Sequence, residues 1–158
     1  MRTRITNYIR SGHAGLYIVS HEEARVEAEL KAVAEATKRP LYAWSATRGM
    51  VNTEDGSGGG ANDPMEAVEA AGGLPEDALV LLADFHLFLR DCNPALIRAL
   101  KDALAEGRAK GRALVMIGPD KAGLSAIAEH TQQEEGRNDH HRAEQEIAPE
   151  AADRLEAH

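Results

Sequence analysis

Apolar residues along the chain alternate between short continuous runs and helix-spaced stripes. Residues 15–20 (GLYIVS) form the first run, partly β-branched and preceded by glycine, and predict a buried strand. Ser20 then stands as a helix N-cap with Glu23 as its capping-box partner. Val26, Leu30 and Val33 recur on one helical face, with Ala34 and Thr37 beside them. Pro40 ends that helix and residues 41–46 (LYAWSA) follow as a second strand. A polar, glycine-rich loop is expected from Thr47 to Asn62. Asp63-Pro64 with Glu66 starts a short helix that stops at Gly72-Gly73.

The run 78–82 (ALVLL) is apolar throughout and predicts a central strand covered on both faces. Asn93-Pro94 opens a helix whose buried stripe is Leu96, Ile97, Leu100 and Leu104. A basic turn is expected over 107–111, then a fourth strand over 113–117 (ALVMI), closed by Gly118-Pro119. Strands alternating with helices imply βαβ units. The expected fold class is therefore α/β, a parallel sheet of about four strands with helices on both faces.

Beyond Lys121 the pattern fades. A domain is expected over 1–122, then a short helix near 123–130 and a disordered acidic tail. Residues 131–158 carry three arginines against eight carboxylates, a net −5 out of −8 for the 158-residue chain. They hold too little apolar surface to offset the entropy of ordering. This charge balance argues against nucleic acid and acidic membranes as partners, since both need local positive charge. Arg2, Arg4 and Arg10 are too few for a nucleic-acid arm. No run approaches the ~20 apolar residues of a membrane span. The single Cys92 allows no intrachain disulfide, and with no secretory signal at the N-terminus the expected location is cytoplasmic.

Ligands of parallel α/β sheets bind at the C-terminal strand edge. Four segments reach it: 20–23, 45–47, 84–86 and 118–121. A phosphate-binding loop, G-x-x-x-x-G-K-[ST], would occupy the first junction, where glycines expose N–H groups to phosphates and a lysine reaches the outer ones. Ser20, His21, Glu22 and Glu23 stand there instead, without glycine or lysine and with two carboxylates. Ser20 and His21 thus mark the place of an absent nucleotide cradle. Asp84 ends the central strand where a Walker B acid would hold magnesium through water. It fits equally as a loop cap or a partner of Arg90 or Lys121. Phe85 fills the next position, where an active ATPase keeps its water-activating glutamate.

Other features carry bland readings. The 56–60 glycine run reads as a flexible linker. His130, His140, His141 and His158 lack zinc-site spacing and read as solvated residues in or beside the tail. Cys92 reads as a partly buried thiol and Trp44 as core. A receiver-like reading, with Asp84 as phosphoacceptor, Glu22 or Glu23 on magnesium and Lys121 on the phosphoryl group, lacks the expected hydroxyl residue at the end of strand 113–117.

Taken in order, residues 8–10 (YIR), 16–23 (LYIVSHEE), 39–45 (RPLYAWS), 63–67 (DPMEA) and 81–89 (LLADFHLFL), with 93–118, resemble bacterial and chloroplast AAA-type ATPases that carry a degenerate ATPase-like domain ahead of the active one. The resemblance covers about residues 5–118. It implies a RecA/AAA-like, P-loop-NTPase-like topology lacking Walker A, truncated before the catalytic module. It further implies a regulatory or assembly role, with an AAA module or a like copy as partner and Mg-ATP as the family's cofactor but none for this chain. No catalytic residue is expected. A weakly ATP-binding ATPase remains the alternative beside the receiver-like reading.

Overall fold

The computed structural model describes residues 1–91 and 93–121. Cys92, the short helix expected at 123–130, the tail histidines and the acidic tail lie outside the described residues.

The chain runs α1 (Arg2–Arg10), β1 (Gly15–Val19), α2 (Glu23–Thr37), β2 (Leu41–Ser45), β3 (Gly49–Asn52), α3 (Pro64–Gly72), β4 (Leu79–Leu82), α4 (Phe85–Leu89), α5 (Pro94–Lys110) and β5 (Ala113–Gly118). Among the described residues the sheet has five strands, in the order β1-β5-β4-β2-β3. Four run parallel, and β3 pairs antiparallel with β2. The four expected strands are present, and the fifth corrects the expected count.

The connections explain which helix covers which face. From β1 the chain crosses to β2, passing over two strand positions, with α2 on one face. It then steps back through β4 to β5, with α3, α4 and α5 on the other face. A right-handed crossover that reverses direction must change face. Alternate residues of the central strands follow suit. Leu79, Leu81, Val115 and Ile117 pack with Ile5, Ile9, Val26, Leu30 and Val33 of α1 and α2. Val80, Leu82, Leu114 and Met116 pack with Trp44, Val68, Phe85, Leu96 and Leu100 on the opposite side. All four β4 residues are buried, as their unbroken apolar run predicts.

Helix ends follow local chemistry, with two corrections. Asp63 Oδ1 accepts from the Met65 N–H at 2.8 Å, and Asn93 Oδ1 from the Ala95 N–H at 3.0 Å, each ahead of a proline. Ser20 is not the N-cap of α2; Glu22 holds that position. The Ser20 hydroxyl instead accepts from the Glu22 N–H at 3.0 Å, a serine turn one step earlier. The expected basic turn at 107–111 is helix up to Lys110. Gly107 is buried within α5, and the left-handed stop is Gly111, at φ +71°.

The expected flexible linker at 56–60 is ordered. It folds back along β3, where the Gly59 N–H donates to the Met50 carbonyl at 2.8 Å and the Asn52 N–H to the Ser57 carbonyl at 2.8 Å. Gly58 sits at φ +107°, and a Cβ there would lie 2.5 Å from the Met50 carbonyl oxygen. Glycine permits that approach. The Trp44 Nε1–H donates to the Ala61 carbonyl at 2.6 Å and fastens the far end of the loop to the core.

Candidate functional site

The reversal in strand order sets the place for a site. The loop after β1 leaves toward α2, while the loop after β4 leaves toward α4 on the other face. The gap between them, floored by the end of β5, is a topological switch point. A cleft of ≈160 Å³ opens there, lined by Ser20, His21, Glu23, Asp84, His86 and the 117–119 segment. Ser20 and His21 share this cleft with Asp84, more than sixty positions further along the chain.

Two further residues join them. Glu23, the first residue of α2, lies close enough to Asp84 for the two carboxyls to repel. Partial burial, Asp84 and then Glu27 push the Glu23 carboxyl above its ordinary value. His86 is 4% exposed, and its Nδ1–H donates to the Ile117 carbonyl at 3.1 Å. Asp84 itself holds a left-handed backbone, φ +54°, which lets the chain turn from β4 into the five-residue α4. Among the described residues its carboxylate makes no hydrogen bond. Arg90, one partner considered for it, pairs with Asp120 at 3.5 Å instead. Gly118 completes the floor; a Cβ there would run into the Tyr17 hydroxyl and the His86 ring.

Phe85 turns away from this cleft. It is fully buried among the α3–α5 core residues, with its ring centroid 5.6 Å from that of Trp44. The residue after Asp84, where the Walker B reading of the sequence would put a water-activating base, is therefore a core residue. The start of α2 is likewise engaged: the Glu22 N–H is bonded to Ser20, and Glu22 Oε2 pairs with Arg25 Nη1 at 2.8 Å.

The receiver-like reading fails on topology. Receiver-type sheets have the order 2-1-3-4-5, with the first strand inside the sheet. Here β1 is an edge strand.

Comparison with known proteins matches residues 1–125 to the family described as "SpoVK-like AAA ATPase, N-terminal domain". The chain belongs to this family. It is also 34% identical over 108 residues to an "Uncharacterized AAA domain-containing protein ycf46" of Guillardia theta, an alignment covering 66% of the chain. The chain spans about a fifth (21%) of that relative's length. No solved structure matches the chain. The SpoVK-like N-terminal domain therefore has an α/β sheet consistent with a P-loop-like fold. Among its described residues no helix is long and apolar enough to cross a membrane, and no three His, Cys, Asp or Glu side chains are grouped to hold a metal ion.

In the sequence Glu23 reads as a helix-start acid and as a magnesium ligand of the receiver-like alternative, not as a carboxyl set against Asp84. Its spacing from Glu27 is plain in the sequence, but its nearness to Asp84 is visible only once β1 and β4 are placed. The raised Glu23 carboxyl has a definite consequence. The folded state binds this proton more readily than the unfolded state, so the contribution to stability is fullest below the ordinary glutamate range near pH 4.5 and is lost as pH rises through the folded value. Asp84→Asn is expected to bring the Glu23 carboxyl back toward its ordinary value. Carboxyl-resolved NMR titration of both forms checks this; an unchanged Glu23 titration would mean the two groups do not interact.

Proposed function

We propose that this SpoVK-like domain is a non-catalytic regulatory or assembly element, docking onto an AAA module or a like copy of itself. In this reading ATP hydrolysis belongs to the catalytic module of relatives and not to this cleft. The carrying observation is the β1–α2 junction. Its helix start is occupied by Ser20 and Glu22, and Glu23 and Asp84 line the cleft that a phosphate chain at this junction would enter. Like charge there repels a polyanion. The cleft, ≈160 Å³, is also below the ~300 Å³ at which small-molecule sites begin. In this reading the described residues do not fit Mg-ATP: Asp84 stands where a magnesium acid would, but no glycine cradle or lysine lies beside it among them.

Titration calorimetry with Mg-ATP tests the reading. No saturable heat is expected up to ~1 mM nucleotide, a free energy weaker than about −4 kcal/mol. Micromolar affinity would overturn it, and loss of that affinity in Asp84→Ala would restore the weak-ATPase alternative.

A further inference from the structure

The two borders of the sheet are finished differently. At one border the 56–60 segment lies along β3 and takes up its outward backbone groups; Val51 and Gly58 form a bridge there. At the other border β1 pairs only with β5 among the described residues. The Leu114 N–H donates to the Ala14 carbonyl and the Ser20 N–H to the Gly118 carbonyl. Parallel pairing uses alternate residues of each strand. Residues 14, 16, 18 and 20 therefore face β5, while the N–H and C=O groups of Gly15, Tyr17 and Val19 face outward.

Apolar surface accompanies those groups. Among the described residues four large hydrophobic side chains are exposed: Met1, Tyr8, Val19 and Leu87. The first three line one groove of ≈380 Å³ between α1 and β1, together with Ile5, Leu16 and Ile18. Soluble proteins ordinarily blunt such an edge with charge, proline or a covering loop, as happens here at β3.

We infer that the β1 edge and the α1 groove form a docking site for an extended segment of a partner chain, added to the sheet as a further strand, apolar in the middle and acidic at its ends. Backbone groups of Gly15, Tyr17 and Val19 supply the ladder, and the groove takes alternate side chains. Charge selects the occupant. Residues 1–21 contain Arg2, Arg4 and Arg10 and no carboxylate, in a chain of net charge −8. Arg2 is held by Glu29 at 2.9 Å, whereas Arg4 lines the groove. A second copy pairing β1 against β1 would set the two basic helices side by side, which like-charge repulsion opposes. The inference rests on the docking role proposed above, but its test does not involve nucleotide, so the two fail separately.

The probe is a synthetic peptide of alternating valine and threonine with two glutamates at each end; the control carries lysines instead. In the free chain the Gly15, Tyr17 and Val19 amides are expected to exchange quickly by NMR. The acidic peptide is expected to slow them, and to bind at least about threefold tighter than the basic one, the size of one exposed ion pair. Arg4→Glu, an exposed substitution, is expected to abolish or reverse that preference while leaving the fold intact. The proposal is overturned if these amides are already protected in the free monomer, if the chain dimerises through them, if the peptide leaves them unprotected, or if both peptides bind alike.

Discussion

Replacing Phe85 with glutamate is expected to unfold the domain rather than to create an ATPase. The Walker B resemblance drawn from the sequence would put a water-activating base at the residue after the strand-end acid. Here that residue has no exposed surface and packs among Trp44, Phe88, Leu96 and their neighbours. Phe85→Glu removes a buried aromatic, worth ~3–5 kcal/mol, and adds a carboxylate with no partner, worth at least a few more. The sum rivals the ~5–15 kcal/mol total stability of an ordinary domain. Phe85→Leu keeps the apolar character and is expected to cost only about 1 kcal/mol. Urea unfolding followed by circular dichroism separates the two. A Phe85→Glu chain as stable as the parent would show that this side chain is not in the core, and would reopen the case for catalysis at the β4 end.

The second large effect is expected at Trp44. It is the chain's sole tryptophan, 1% exposed, and its ring meets those of Phe85 and Phe88 edge-on with centroids 5.6 and 6.0 Å apart. Its indole N–H also holds the Ala61 carbonyl at 2.6 Å. Trp44→Ala is expected to cost ~3–5 kcal/mol through cavity formation. Trp44→Phe preserves much of the packing but leaves the Ala61 carbonyl unbonded, for ~1–2 kcal/mol. The smaller substitution carries a distinct local signature: exchange of the Met50 and Gly59 amides, which tie the glycine-rich loop to β3, is expected to quicken before global unfolding. Uniform loss of protection would mean that the indole bond does not secure the loop.

These residues show what could be read from the chain alone. The run 78–82 was legible as a central strand because a strand covered on both faces has no polar alternation to obscure it. Asp63-Pro64 and Asn93-Pro94 were legible as helix starts because capping is local chemistry. The glycine-rich stretch was not. Its order comes from Gly58 and Gly60 meeting Met50, and from Trp44 reaching Ala61, contacts that no window of composition contains. β3 was lost with it, being four residues long beside that loop. At α1, Ile5 and Ile9 pack inward while three arginines and several polar residues dominate the composition, so no helix was read there from the sequence. For the site, Ser20, His21 and Asp84 could be nominated from the rule that ligands bind at strand ends. The coupling of Asp84 to Glu23, and the burial of His86 against Ile117, depend on β5 lying between β1 and β4.

That same insertion governs how the domain is made. β1 leaves the ribosome well ahead of its neighbour β5, which follows nearly a hundred residues later. At ~5–20 residues per second, β1 waits roughly 5–20 s as an apolar strand with neither flank joined. Until β5 emerges, β4 and β2 can pair with each other but not with β1. Nascent chains stalled before residue 113 are therefore expected to be the species that holding chaperones retain.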